Sequence, residues 1–145
     1  MRIDEGPIII EQHFNKTADV VWKAITDINQ MRQWYFENIP AFEPEVGFAT
    51  QFNIQSGQRN FLHIWKVLEV NPGKLIKYNW SYKDYEGDSE VIFELFNEGS
   101  STLLRLTHLV KEDFSDDIPE FKRESGVQGW THFIKESLVN FLEIK

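Results

Sequence analysis

The fold is decided by the stretch Gly129-Trp130-Thr131-His132-Phe133-Ile134-Lys135-Glu136-Ser137-Leu138-Val139-Asn140-Phe141-Leu142-Glu143. Its apolar residues recur three or four positions apart, which is the spacing of one face of an α-helix. The stripe consists of Trp130, Phe133, Ile134, Leu138, Phe141 and Leu142. This spacing predicts a long amphipathic helix, within residues 121–145, that packs against an apolar surface. Gly126 and Gly129 weaken its start and indicate a bend or a close backbone approach.

The residues before this helix alternate mainly in the manner of β-strands. Short turns that contain glycine, such as Asn71-Pro72-Gly73, separate several of these runs and predict an antiparallel meander. Two short helices are predicted between the first two strands, one over 20–28 and one over 30–35. The predicted strands cover 7–14, 48–54, 60–70, 75–82, 89–97 and 102–109, while 39–47 contains two prolines and is a loop or an edge strand. A helix laid across such a curved sheet tends to leave a cavity between the two layers.

Length and charge restrict the class of protein. At 145 residues the chain is long enough for one domain with a sizeable core, over residues 1–145. The formal net charge is −8 and no run of Lys and Arg occurs, so we expect no nucleic acid and no membrane among its partners. Without a cysteine, and with four histidines that lack ligand spacing, the chain is expected to hold no metal and no cofactor. No apolar run resembles a signal peptide or a membrane span, which favours a cytoplasmic protein.

Aromatic residues make up 14% of the chain and are its unusual compositional feature. Two interpretations are open: the rings line a pocket for an apolar ligand, or they fill the interior and leave no cavity. Strand alternation assigns the side chains that face the closing helix, although an error of one residue would exchange the two faces. The candidate ligand-binding residues are Trp34, Phe36, Phe48, Phe52, Trp65, Tyr78, Trp80, Phe93, Leu106, His108, Trp130 and Phe133.

Catalysis has little support in the sequence, and we assign no catalytic residue. No Gly-x-Ser-x-Gly motif occurs, and a cysteine nucleophile is absent. His108 lies on the predicted inward face, where it would orient a ligand or act as a general base, or else serve as a structural histidine. Glu69 is placed either in the cavity or at its rim beside the Pro72 turn. Arg105 is predicted to face solvent.

Several blocks, in order along nearly the whole chain, resemble the activator of heat-shock protein 90 ATPase homologues. They are Val21–Asp27 with Met31–Phe36, Phe42–Phe48, Val67–Trp80, Thr102–His108 and Gly129-Trp130 with the apolar helix that follows. The resemblance implies the START-like (SRPBCC) superfamily and its helix-grip α+β fold. In that fold a seven-stranded antiparallel sheet curves around a long C-terminal helix, and a deep apolar cavity lies between them.

The leading functional hypothesis is non-catalytic binding of a small hydrophobic or amphipathic ligand, in a stress or regulatory setting. One alternative is an enzyme of the cyclase or hydratase type that uses His108 as its acid–base group. A second alternative is a module that contacts a chaperone-like protein partner through its outer surface. We expect a monomer or a weak homodimer.

Overall fold

The computed structural model describes residues 1–144, without the side chain of Ile144. Lys145, to which the predicted closing helix extended, lies outside the described residues. The strands are β1 Ile8–Phe14, β2 Ala49–Ser56, β3 Arg59–Asn71, β4 Leu75–Tyr82, β5 Asp88–Asn97 and β6 Thr102–Glu112. The first helices are α1 Ala18–Thr26 and α2 Ile28–Trp34, and the closing helix consists of α3 Arg123–Thr131, a π-helical segment His132–Ser137 and α4 Leu138–Ile144. Short 3-10 turns lie at Ile3–Glu5 and Pro119–Phe121.

The sheet is antiparallel, with the strand order β1-β6-β5-β4-β3-β2. The predicted α+β architecture is therefore confirmed, but the sheet has six strands and the expected seven was wrong. No strand forms between residues 39 and 47. Prolines 40 and 44 have no backbone N–H to donate to a neighbouring strand. The backbone carbonyls of Ile39 and Pro40 instead accept hydrogen bonds from the Arg32 guanidinium, at 2.9 and 3.0 Å.

Strand alternation places the inner face of the sheet as predicted. Ile76, Tyr78 and Trp80 are at most 5% exposed, and so are Leu104, Leu106 and His108. Arg105, on the opposite face of β6, pairs with Glu11 at 2.7 Å.

A β-bulge in β3 changes the alternation near the end of that strand. Val67 pairs with Tyr78, whereas Glu69 pairs with Lys77, so that Leu68 is the additional residue. Glu69 consequently faces solvent, where its carboxylate lies 3.7 Å from the Lys77 ammonium. Glu69 is therefore not among the residues that line the cavity described below.

The closing helix buries Trp130, Ile134, Leu138 and Leu142, which are spaced four residues apart. In a regular α-helix, with about 100° per residue, such a row would drift by roughly 40° at each step. The π-helical segment His132–Ser137 has a wider turn that offsets this drift. Phe133 and Phe141, which the predicted stripe included, are consequently only half-buried.

Polar contacts attach the closing helix to the rest of the protein. The Lys135 ammonium donates to the Glu11 carbonyl of β1 at 2.8 Å, and the Ser137 hydroxyl donates to the Trp34 carbonyl at 2.6 Å. These contacts hold the helix over the inner face of the sheet. Within residues 1–144, no helix is both long and apolar enough to cross a membrane.

Candidate functional site: a small cavity under the closing helix

A cavity of about 170 Å³ lies between the inner face of the sheet and the first turns of the closing helix. Strands β3, β4 and β6 form its floor, and α3 forms its roof. The lining residues are Met1, Phe36, His63, Trp80, Tyr82, His108, Glu120, Ser125, Gly126, Gly129, Trp130 and Phe133. Five of these twelve residues are Phe, Trp or Tyr and two are His, so the cavity offers a molecule apolar rings together with several polar atoms.

Five of the twelve residues predicted to bind a ligand line this cavity: Phe36, Trp80, His108, Trp130 and Phe133. The other seven are not among its lining residues and pack elsewhere in the interior. They are Trp34, Phe48, Phe52, Trp65, Tyr78, Phe93 and Leu106. Aromatic side chains therefore fill most of the interior, and a small space remains.

Tyr35, which the sequence analysis did not single out, fills the centre of the interior. Its ring stacks on Trp34 with the centroids 4.7 Å apart and on Trp65 at 5.3 Å. Its hydroxyl is 2.8 Å from the hydroxyl of Tyr78, and burial raises the pKa of both groups. Tyr35 directly follows α2, where helical spacing no longer indicates the direction of a side chain.

His108 belongs to a chain of hydrogen bonds that fixes its protonation. The indole Nε1 of Trp130 lies 3.0 Å from Nδ1 of His108 and can only donate, so Nδ1 carries no hydrogen. The hydrogen is therefore on Nε2, which donates to the Ser89 hydroxyl at 2.8 Å, and Ser89 donates to the Trp80 carbonyl at 2.8 Å. Burial lowers the pKa of His108 to about 4, which keeps the ring neutral. With both nitrogens engaged, His108 has no free lone pair to act as a base.

His63 differs from His108, because only one of its ring nitrogens has a partner. Its Nδ1 lies 2.9 Å from the Phe61 carbonyl, which can only accept, so Nδ1 carries the hydrogen. Burial lowers the pKa of His63 to about 4, so the neutral ring leaves a bare lone pair on Nε2. The sequence analysis singled out neither His63 nor its free nitrogen.

Two buried indole groups also lack partners. The Nε1–H groups of Trp65 and Trp80 are inaccessible and have no hydrogen-bond acceptor among the described residues. Burial raises the pKa of Tyr82, and the Trp80 indole near the Tyr82 hydroxyl lowers it to a smaller extent, but no well-formed hydrogen bond joins the two groups. Trp80 lines the cavity, whereas Trp65 does not.

A larger groove, of about 790 Å³, opens on the outer surface beside the cavity. It is lined mainly by charged side chains, and both of its arginines have partners. Arg2 pairs with Asp113 at 3.0 Å and with Asp116 at 3.2 Å. Arg123 donates to the carbonyls of Gly6 and Pro7. Met1 lines both spaces, so the groove and the cavity adjoin at this residue.

No group of three or more His, Asp or Glu side chains within residues 1–144 is arranged to hold a metal ion.

A family model described as Activator of Hsp90 ATPase homolog 1-like protein matches residues 15–143. The chain belongs to this family. The resemblance inferred from the sequence blocks is thereby confirmed. No curated protein matches the chain.

Solved structures of several bacterial proteins share the fold of this chain. Protein CV1439 from Chromobacterium violaceum superposes with a TM-score of 0.79 at 19% identity, over 96% of this chain and 98% of that one. Protein MLL2253 from Mesorhizobium loti has a TM-score of 0.74 at 26% identity, over 96% and 98%. The Aha1 dimer from Colwellia psychrerythraea has a TM-score of 0.74 at 20% identity, over 95% and 96%.

Proposed function

We propose that this protein binds one small apolar or amphipathic molecule, without catalysing a reaction, in the cavity between the sheet and the closing helix. The observation that carries the proposal is the space of about 170 Å³ among aromatic side chains. A dry apolar cavity of roughly 150 Å³ is large enough for a benzene-sized molecule. The cavity therefore suits a single ring or a short branched chain, and a longer ligand would require Tyr35 or Phe36 to move.

The catalytic alternative cannot use His108 as its base. It assigned acid–base chemistry to His108, and both nitrogens of that ring are used in hydrogen bonds to Trp130 and Ser89. The remaining alternative, a module that contacts a chaperone through its outer surface, predicts that substitutions inside the cavity leave its activity unchanged.

Titration with toluene, followed by calorimetry and by tryptophan fluorescence, tests the proposal. We expect one saturable site per chain and a rise in melting temperature with ligand concentration, since the ligand binds only the folded state. Emission should change because Trp80 and Trp130 line the cavity.

A blocking variant makes this test specific for the cavity. Gly129 lines the cavity, and a Cβ built at this position meets no other atom within 4 Å. Gly129→Leu should therefore fold and lose toluene binding. Gln128→Leu, at the exposed neighbouring position, is the matched control and should bind as the wild type does. Absence of saturable binding in the folded wild type would overturn the proposal and leave the interaction module as the better hypothesis.

The same proposal treats residues 1–145 as one cytoplasmic domain that acts as a monomer or a weak homodimer. The Colwellia psychrerythraea protein, which shares the fold, was solved as a dimer. Sedimentation analysis over a range of protein concentrations measures the association directly, and a tight dimer at micromolar concentration would contradict this part of the proposal.

A further inference from the structure

His63, on β3, presents the cavity with a hydrogen-bond acceptor. The residue is only 6% exposed. The Phe61 carbonyl takes the hydrogen on Nδ1 at 2.9 Å, and burial keeps the ring neutral by lowering the pKa of His63 to about 4. Nε2 therefore carries a lone pair and no hydrogen, so this nitrogen can only accept a hydrogen bond.

This nitrogen is open to the cavity. His63 is a lining residue, and its Nε2 is not one of the two unpartnered nitrogens of the described chain that lack accessible surface, which belong to Trp65 and Trp80. Around it lie the rings of Phe36 and Phe52, whose centroids are 5.3 and 5.0 Å from that of His63. Since buried polar atoms in folded proteins nearly always have a partner, a molecule that donates a hydrogen to Nε2 would supply the missing one.

Three donors near the cavity make no matching demand for an acceptor. The Trp130 indole already donates to His108 at 3.0 Å, and the Ser125 hydroxyl donates to the Pro119 carbonyl at 2.9 Å. The Trp80 indole N–H has no accessible surface, so no molecule in the cavity reaches it. The demand of the cavity is therefore mainly for a donor.

We infer that the ligand of this cavity is a small uncharged heterocycle whose ring N–H, of the pyrrole type, donates to Nε2 of His63. This inference rests on the proposed function and specifies the chemical class of its ligand. A pyrrole-type N–H donates and, like the indole of tryptophan, accepts nothing in return. The rest of such a ring is apolar and suits the neighbouring rings of Phe36 and Phe133, which also line the cavity.

Two other polar groups at the cavity define the competing ligand classes. A hydroxyl would also donate to His63, but its lone pairs would then depend on the Tyr82 hydroxyl, whose ring centroid is 4.8 Å from that of His63. A carboxylate would meet the α-ammonium of Met1, which lines the cavity and already donates to the Phe121 carbonyl. A carboxylate only accepts, so it would leave Nε2 of His63 without a donor.

The test compares pyrrole with furan, in which an oxygen atom replaces the N–H group of a five-membered ring. Burial of an N–H group without an acceptor weakens binding by roughly tenfold or more, so a purely apolar cavity would prefer furan. We expect pyrrole to bind more tightly than furan by calorimetry. Equal or tighter binding of furan would overturn the inference, and a water molecule that stays on Nε2 would give this same result.

Two further compounds separate the possible failures. Furan-2-carboxylate adds an anionic group for the Met1 ammonium, and tighter binding of this compound than of pyrrole would replace the inferred class by an anionic one. Toluene tests the proposed function alone. If toluene binds and pyrrole does not, only the inference fails, and if none of the four compounds binds, the proposed function fails with it.

A pair of variants assigns the preference to His63. His63→Phe keeps a ring and removes the acceptor, so the dissociation constant of furan divided by that of pyrrole should fall by about tenfold. Tyr82→Phe, directly opposite His63 on β4, is the matched control. It should leave this ratio unchanged, because pyrrole offers no acceptor to the Tyr82 hydroxyl. An unchanged ratio in His63→Phe, or an equal fall in both variants, would contradict the assignment.

The wild-type protein offers a readout that does not depend on the stability of a variant. In ¹⁵N spectra of histidine-labelled protein, the Nε2 signal of His63 should move upfield with pyrrole and not with furan, because only pyrrole donates to this nitrogen. His108 is the internal control, since both of its ring nitrogens are already hydrogen-bonded. A His63 signal that responds equally to the two compounds would contradict the inferred hydrogen bond.

Discussion

The indole N–H of Trp130 donates a hydrogen bond of 3.0 Å to Nδ1 of His108, and both residues are at most 4% exposed. This bond joins the closing helix to β6 across the interior. It also determines the tautomer of His108, since the indole can only donate. Ser89 and the Trp80 carbonyl continue the hydrogen-bond chain on the other side of the ring.

The first prediction concerns this bond. Trp130→Phe keeps an aromatic ring but leaves Nδ1 of His108 buried without a partner, so we expect the free energy of unfolding to fall by about 1–3 kcal/mol. Trp130→Ala also removes the packing of the ring and should lower it by about 3–5 kcal/mol. Urea unfolding measures both changes. A loss for Trp130→Phe no greater than that for Trp22→Phe would show that the bond contributes little.

Periodicity was sufficient to predict the strands and the inner face of β4 and β6. A strand alternates with a period of two, so every second side chain on β4 and β6 could be assigned to the inner face without further information. The bulge at Leu68 could not be read from the same pattern, because it depends on how β3 pairs with β4. The seventh strand came from the family resemblance, and the contacts of Arg32 with the loop carbonyls explain its absence.

The candidate site was predicted only in part, for a related reason. Alternation on the strands and spacing on the closing helix predict that Trp80, His108 and Trp130 face the interior, and the centroids of their rings lie within 5.9 Å of one another. The volume left between the rings depends on their packing in three dimensions. Tyr35 occupies much of that volume, and its direction is set after α2 ends, where no periodic signal applies.

The second prediction uses the two glycines of α3. Gly129→Ala should raise the free energy of unfolding by about 1 kcal/mol, because alanine favours a helix and its Cβ meets no other atom within 4 Å. Gly126→Ala gains the same helix propensity, but its Cβ would lie 2.9 Å from Cδ1 of buried Ile8. We therefore expect it to give less stability than Gly129→Ala. Thermal unfolding of the two variants would contradict this account if Gly126→Ala were the more stable.

The third prediction concerns the two hydroxyl groups at the centre of the interior. Tyr35→Phe and Tyr78→Phe each remove one partner of the 2.8 Å hydrogen bond and should each lower the free energy of unfolding by about 1 kcal/mol. The double variant removes both partners, so its loss should be clearly smaller than the sum of the single losses, by more than about 0.5 kcal/mol. Tyr82→Phe, a ring without a well-formed hydrogen bond, is the control. Strictly additive losses would mean that the two hydroxyls do not interact.

The last prediction concerns acid stability. Burial lowers the pKa of His63 and of His108 from 6.5 to about 4, because the charged ring is poorly solvated in the interior. Between pH 6.5 and pH 4 the unfolded chain binds more protons than the folded one. The contribution of the two neutral histidines to the free energy of unfolding is therefore fully present above pH 6.5 and is lost as the pH falls toward 4. From pH 7 to pH 5 each histidine should lower the free energy of unfolding by about 2 kcal/mol.

The window from pH 7 to pH 5 avoids most of the titration of ordinary carboxyl groups, which lies below it. His63→Gln removes one titrating ring, so its stability should decrease less steeply with falling pH than that of the wild type, whatever its stability at pH 7. Phe61→Leu, at a buried neighbouring position of β3 that carries no titrating group, is the control and should follow the wild-type slope. Urea unfolding at several pH values provides the slopes. Parallel curves for His63→Gln and the wild type would show that His63 takes up its proton as readily in the folded protein as in the unfolded chain.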